Sequence, residues 1–477
     1  MEDILRTAIA SGLKFPISQA NDISIIPDNT FGVFVGIERS KAHELAEWPI
    51  NVHGCIGYWD PAYQNMDKKM ILEKIITVAY DATWIDRRRK YFQHSIYVDL
   101  YAKYKIYFML SPIKKINSET GLIEGTSELF NNKKYGLIVE NITNQSQRAT
   151  YLPDVFPDED WAYIKKSLVG KASITDNSNT IFYAYSCDIY SMTLADYFIN
   201  PIQQFINTNY KTFIPYTISN NIITIDKTED VRNLAIIYDI LQLKTHGYDL
   251  SSEVINAIVD NINYYKLKYK SRKQTMRQSS PFLMLDTYMT NKNDPYVDII
   301  KKDLFEQLEL QNKIDNGEII DNFIPIDKNF ELGEILMALI IVYPNNPQAK
   351  RELDKISKSK SDNNIFRYNW YSKLVKHMPD RNYKYNLIKN IIKYINNAPV
   401  VQETNYYAVE FEALATLYAS ISNQHIKITI EPYIERLIIN LEQRRNKNGL
   451  YEFTDGTIRL DITGHVLNGF YALMSLA

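Results

Sequence analysis

The sequence predicts two domains of different class. An α/β (α+β) layered domain spans residues 1–205, an all-α domain spans 227–477, and a linker over 206–226 joins them. Three observations carry this. Up to about residue 205, strand-like segments of period two are mixed with short amphipathic helices. Asn207 to Asp226 is polar, rich in Asn and Thr, and without period. From Glu229 onward the apolar pattern is helical throughout, and 477 residues are enough for more than one domain.

In chain order, Asp3 to Ala10 reads as a short helix. Phe31 to Ile37 reads as a strand with Phe31, Val33, Val35 and Ile37 on one face. A strand around Cys55 follows, then a helix over Met70 to Trp84 with the stripe Ile71, Ile75, Val78 and Ala82. Lys103 to Leu110 and Lys134 to Glu140 are strand-like. A further strand ends at Pro153, which cannot donate to a ladder. A helix with Trp161, Ile164 and Leu168 and a strand over Ile181 to Tyr185 complete the mixed part. Beyond it, helical stripes recur at Leu234/Ile237/Leu241, Val254/Ile258/Ile262, Leu332/Ile335/Leu336/Leu339, Phe411/Leu414/Tyr418 and Leu467/Phe470/Tyr471/Met474. Helices near 295–313, 346–357, 366–376, 384–397 and 429–446 fill the gaps. About ten helices with short connections predict stacked antiparallel pairs.

At 45% hydrophobic the chain can bury real cores. A net charge of -2 gives no bulk attraction to nucleic acid or membrane. Two cysteines exclude a disulfide framework and point to a reducing, cytoplasmic setting. Met1-Glu2-Asp3 lacks the features of a secretory signal, and no apolar run is long enough for a membrane span. The seven histidines are scattered, with no His-x-x-x-His, Cys-x-x-Cys, glycine-rich dinucleotide motif or phosphate loop, so neither a metal nor a cofactor is expected.

The stretch Val52-His53-Gly54-Cys55-Ile56-Gly57 concentrates the chemistry. On a regular strand His53 and Cys55 share a face, roughly 6–7 Å apart at Cβ. Gly54 and Gly57 leave room for close approach to the thiol. A nearby cation favours the thiolate; the alternative is a small buried hydrophobe. Cys187, with Asp188 beside it, is expected to be the less reactive of the two thiols.

Several motifs in order resemble the AMMECR family, named for a syndrome of Alport nephropathy, midface hypoplasia and elliptocytosis. Phe34-Val35 and Val52 to Gly57 resemble the strand and the Leu-Arg-Gly-Cys-Ile-Gly hallmark. Asp86-Arg87-Arg88 resembles Asp-x-Arg-Phe. Gly136 to Glu140, Ala149-Thr150-Tyr151-Leu152-Pro153-Asp154-Val155, Trp161, Ser167-Leu168 and Lys171 resemble the later motifs. The resemblance covers about 1–205. Two positions depart from it: His53 stands for the hallmark arginine, and Arg89 for the phenylalanine. Histidine titrates near neutrality where arginine stays charged. The resemblance implies an intracellular protein that often accompanies Memo-like and radical-SAM proteins, and hence modification chemistry. It also brings Arg87-Arg88-Arg89-Lys90 close to Cys55.

In the helical part, Asn329 to Glu334, Thr404 to Glu410 and Asp461 to His465 are polar, aromatic openings to strongly apolar helices. This is similar to the α/α-toroid superfamily of terpenoid cyclases and sugar epimerases, in which inner helices begin at the mouth of a central cavity. Glu334, Glu410, Glu412, Asp461 and His465 stand at or near those helix starts and could do acid–base work on a sugar. Acidic residues also favour first helical turns through the dipole alone, and an Asp461/His465 pair four apart also reads as a capping contact. The basic and aromatic run Tyr264 to Arg277 reads as a nucleic-acid groove or as a solvated helix end.

Two classes of function follow. In the first, Cys55 is nucleophile or acid, His53 polarises it, and Asp86 and Arg88 orient an anionic substrate, with Arg87, Gly54, Gly57, Thr150 and Tyr151 lining the site. In the second, the same groove binds an anionic or peptide ligand without turnover. A carbohydrate-active toroid built on the C-terminal carboxylates is the further alternative.

Overall fold

The structure, a computed structural model, describes residues 1–17, 22–43, 50–175, 179–212, 217–219, 222–224, 229–320, 323–328, 330–358, 364–378, 381–399 and 402–476. The chain divides into two units: Met1–Gln93 with Tyr101–Leu194, and His94–Leu100 with Ala195–Ala477.

The first unit contains α1 (Glu2–Gly12), β1 (Thr30–His43), β2 (Ile50–Trp59), α2 (Lys68–Trp84), β3 (Lys103–Ile116), β4 (Gly136–Asn141), β5 (Asn144–Tyr151), α3 (Trp161–Lys171) and β6 (Thr180–Thr193). The strands form one antiparallel sheet in the order β2-β1-β3-β6-β4-β5, so the class is α+β. The sheet curls until Arg148 of β5 lies 5.0 Å over the Trp59 ring of β2.

Asp67 caps α2, accepting from the N–H groups of Lys69 and Met70, a contact worth about 1 kcal/mol. The stripe Ile71, Ile75, Val78 and Ala82 is buried, as is the predicted β1 face of Phe31, Val33, Val35 and Ile37. α2 packs on α1, β1 and β2. The bonds Ser11 Oγ to Ile76 O and Trp84 Nε1 to Gly12 O, both 2.6 Å, lock the two helices together. A second core joins Ile164, Leu168 and Val169 of α3 to Leu137, Val139, Ala149, Phe182 and Ala184 of the sheet. β3 and β6 run past their predicted ends. They pair with each other, and β6 pairs also with β4; these partners sustain the strand where local pattern fades.

The main part of the second unit begins within α4 (Leu194–Asn209), which fills the end of the first predicted domain and the start of the predicted linker. Within that linker, 213–216, 220–221 and 225–226 lie outside the described residues. β7 (Thr217–Ser219) and β8 (Ile222–Thr224) occupy part of the remainder. Among the described residues eleven α-helices follow: α5 (Asp230–Thr245), α6 (Ser252–Ser271), α7 (Ser280–Thr290), α8 (Pro295–Asp315), α9 (Glu331–Val342), α10 (Pro347–Lys358), α11 (Ile365–Leu374), α12 (Arg381–Asn397), α13 (Thr404–Ala419), α14 (Gln424–Glu442) and α15 (Leu460–Met474). The short β9 (Ile458–Arg459) pairs with β7 just before α15.

The odd-numbered helices form a ring. α5 packs on α7, α7 on α9, α9 on α11, α11 on α13, α13 on α15, and α15 returns to α5. Sequence dictates which helices are inside. α9 and α13 are buried almost all round, as expected of helices that are apolar on every face. α10 buries a single stripe, Ala349, Glu352, Leu353 and Ile356, and packs outside α9. Where α15 meets α5, a Cβ at Gly464 would lie 1.9 Å from Asp239 Oδ2; glycine is what allows the carboxyl to rest on the helix backbone.

His94–Leu100 belongs to this helical unit, an excursion the sequence did not disclose. His94 Nδ1 lies 2.6 Å from Glu431 Oε1 on α14, and the Ser95 N–H donates to Glu431 Oε2 at 2.7 Å. Ile96, Tyr97 and Val98 are buried. No helix among the described residues is long and apolar enough to cross a membrane.

Candidate functional site

In the first unit, β2 is an edge strand whose free edge at Cys55 is covered by side chains. The Cys55 N–H donates to Asp86 Oδ2 at 2.9 Å, and Arg88 Nη2 donates to the Cys55 carbonyl at 3.1 Å. Asp86 Oδ1 also accepts from the Arg88 N–H and Nε, at 2.9 and 3.0 Å. The Asp-x-Arg segment therefore stands in for a neighbouring strand and blocks edge pairing. Burial would raise the Asp86 carboxyl, but Arg88 and the two N–H donors hold it below its usual value.

His53 and Cys55 do not share a face. Ile37 pairs with Gly54 and Glu38 with Val52, which leaves His53 as the extra residue of a β-bulge. Its ring turns to α2, with Nε2 3.1 Å from Thr83 O, and lies against Phe92. Burial, then the charge of Arg39, pushes its pKa down to about 4, so the imidazole is neutral at pH 7. The Cys55 side chain instead packs against the cluster of Phe31, Phe34, Met109 and Tyr185. Burial pushes its thiol up to about 11, outweighing Arg88 and Lys171. The anticipated thiolate beside an imidazolium is replaced by two neutral groups pointing apart. Cys187 is raised as well, by burial and then by Asp188.

The room anticipated at the glycines is filled. A Cβ at Gly54 would sit 1.9 Å from Ala82 O, and one at Gly57 would sit 2.1 Å from the Phe34 ring. Of the neighbouring cations, Arg88 turns to Cys55, Arg89 lies 4.6 Å over the Trp84 ring, and Arg87 is exposed. Thr150 Oγ1 donates to Leu137 O at 2.9 Å. The Tyr151 hydroxyl is 2.8 Å from Ser167 Oγ, and Lys171 Nζ donates to Thr150 O at 2.8 Å. These bonds tie β5 to β4 and α3.

In the second unit, the N-terminal ends of the ring helices surround a cavity of about 490 Å³. Glu334, Asp461 and His465 line it, as does Asp239 from α5. Aromatic walls come from Tyr238, Phe282, Phe330, Phe366 and Trp370, and side-chain amides from Gln278, Asn369, Asn405 and Asn468. Glu410, also near the start of α13, is buried away from this lining, and its Oε1 accepts from Gln402 at 3.2 Å.

The charges in and just behind the cavity are sharply differentiated. Burial and the neighbouring Glu331 push Glu334 up to about 8, against the pull of Lys373. Burial pushes Asp239 up to about 7, although Asn468 and Lys373 act the other way. Asn468 Nδ2 donates to Asp239 Oδ1 at 2.8 Å. For Glu412 burial is overcome: Lys373 and His465 hold the carboxyl down at about 2. Lys373 Nζ is 2.8 Å from its Oε1, and His465 Nδ1 is 2.7 Å from its Oε2, which also accepts from Asn369 at 2.7 Å. His465 on α15 thus pairs with Glu412 on the neighbouring α13. Asp461 pairs with Arg459 and lies 3.8 Å from Arg232.

Sequence reasoning missed Asp239, Asn369, Trp370 and Lys373. Asn369 and Lys373 were findable in principle as polar residues four apart on an otherwise buried helix. Asp239 was findable as a carboxylate beside the stripe Leu234/Ile237/Leu241. No group of three or more His, Cys, Asp or Glu side chains that could hold a metal occurs among the described residues.

Residues 3–190 match the model of the AMMECR1 family, the stretch over which the motifs carry that resemblance. Among solved structures, the chain is similar to the uncharacterized protein PH0010 from Pyrococcus horikoshii, at 18% identity over 39% of this chain and 87% of that one, with a TM-score of 0.28. No curated protein matches the chain.

Proposed function

We propose that the helical unit is an α/α-toroid whose central cavity performs acid–base chemistry on a neutral, polyhydroxylated substrate of the carbohydrate class. The observation that carries this is a cavity carboxyl, Glu334, and a fully buried one, Glu412, bonded to the cavity residue His465, which environment has driven apart. Glu334 keeps its proton at pH 7 and Glu412 does not. Groups separated in this way divide into acid and base. Glu334 is the proton donor. Ionised Glu412 engages Nδ1 of His465, which leaves Nε2 as the acceptor. Aromatic faces with amide and carboxyl groups between them suit a sugar, which offers C–H faces to the rings and hydroxyls to the polar groups. The cations near the site are already paired: Lys373 with Glu412, and Arg459 with Asp461. A neutral substrate fits that balance better than an anion.

For the AMMECR1-like unit the reading is a binding role. The protonated, half-buried Cys55 is a poor nucleophile, and Asp86 and Arg88 are engaged with the backbone of β2.

The test presents the full-length protein with a panel of neutral mono- and oligosaccharides, following turnover by proton NMR and binding by tryptophan fluorescence. Glu334→Gln should bind as wild type does and turn over roughly 10²–10⁴-fold more slowly. Turnover untouched by that substitution, or no carbohydrate binding at all, overturns the assignment.

A further inference from the structure

Three neighbouring helices of the ring carry an aromatic residue at their starts. Phe330 is the N-cap of α9, Phe366 is the second residue of α11, and Tyr406 is the third of α13. α9 packs on α11 and α11 on α13, and the three rings meet. The centroids of Phe330 and Phe366 are 5.3 Å apart, and those of Phe366 and Tyr406 are 5.7 Å apart. Phe330 and Phe366 line the cavity, and Phe330 is 40% exposed, so its ring is open to a ligand. Phe330 precedes Glu334 by four positions and Phe366 precedes Trp370 by four. Each therefore stands about one helical turn, about 5.4 Å, outward of a residue deeper in the same wall.

The other side of the mouth differs. At the starts of α5 and α15, Arg232 lies 3.7 Å from Glu229 and 3.8 Å from Asp461, which also pairs with Arg459. These charges satisfy one another and offer no apolar face. The inner end of the cavity is shut. Tyr238, Met337, Lys373 and Asn468 line it and also a separate cavity toward the C-terminal ends of the ring helices, so they stand between the two. A chain entering at the mouth stops at these residues instead of threading the ring.

We propose that the substrate is an oligosaccharide taken by its end. The terminal unit enters beside Glu334, and the following units lie on a stacking rim formed by Phe330, Phe366 and Tyr406. A pyranose lays its C–H face on an aromatic ring and directs its hydroxyls to polar groups. Asn405, next to Tyr406, lines the cavity and supplies one such group. The inference rests on the carbohydrate reading of the cavity and extends it from a single unit to a chain.

The probes are glucose, mannose and N-acetylglucosamine with their β-1,4-linked oligomers of two to four units, titrated into the full-length protein by isothermal calorimetry. In the series that binds, affinity should rise at least tenfold from one unit to three. That ratio should fall toward one in Phe330→Ala and in Tyr406→Ala, and Phe330→Trp should keep it. Saturation-transfer NMR of the bound tetrasaccharide should be strongest at one terminal unit. A monosaccharide that binds as tightly as the longer chains, or a ratio indifferent to both alanine variants, overturns the rim and leaves the carbohydrate reading in place. Saturation strongest at an internal unit overturns entry by the end. Binding of none of the three series overturns the rim and the carbohydrate reading together. If Tyr406→Ala fails to fold, Phe330→Ala decides, since an exposed ring can be truncated without opening the core.

Discussion

Asp239→Asn should make the protein more stable, and more so as pH rises. The Asp239 carboxyl has an ordinary value of 3.8 and is pushed up to about 7 in the folded state. The folded chain therefore holds a proton that the unfolded chain releases between those values. Its contribution to stability is complete below about pH 3.8, falls as pH rises, and levels off above about 7. A gap of about 3 pK units corresponds to about 4 kcal/mol. Asparagine keeps the shape, and its Oδ1 can still accept from Asn468, so the substitution isolates the charge. The assay is urea denaturation of wild type and variant from pH 4 to pH 8.5, followed by far-UV circular dichroism. The variant's advantage should grow from near zero at pH 4 to a few kcal/mol at pH 8. Stability curves that run parallel across that range would refute the claim that burial holds the proton on Asp239.

Alkylation of Cys55 should be slow at pH 7 and accelerate toward pH 11, and His53→Ala should leave that profile unchanged, because the bulge points the ring away from the thiol; a pH-independent fast rate would restore the thiolate reading. Gly54→Ala should destabilise the first unit by about 3 kcal/mol in thermal unfolding, since the new Cβ meets Ala82 O. Gly170→Ala, in α3 with open space around its Cβ position, should instead stabilise it by up to about 1 kcal/mol. Asp86→Ala should uncover the edge of β2 and promote self-association, measured by analytical ultracentrifugation; a strictly unchanged sedimentation profile would argue against the edge-cover role.

The two-class architecture was legible because the period of the apolar residues changes along the chain. The stripe Ile71/Ile75/Val78/Ala82 and the face Phe31/Val33/Val35/Ile37 are buried as their spacing dictates. Neither the bulge at His53 nor the membership of His94–Leu100 in the helical unit was legible. A bulge is set by the register of a partner strand, and an excursion by a surface far away in sequence. Glu334, Asp461 and His465 stand where polar openings lead into apolar helices, and they line the cavity. Lys373 and Asp239 were hidden because each lies inside a helix, where one polar residue among apolar ones has no local signature of facing a cavity. The thiol at Cys55 shows a related limit: nearby cations can be read from sequence, but the burial that outweighs them is a property of the whole fold.

The central claim is that Glu334 is a protonated acid facing a cavity at neutral pH. Carboxyl carbon NMR of protein labelled at glutamate, with Glu334 assigned by its loss in Glu334→Gln, measures this directly. A midpoint near 8 is the expected result; a Glu334 carboxyl that titrates between about 4 and 5, as an ordinary glutamate does, would contradict the account.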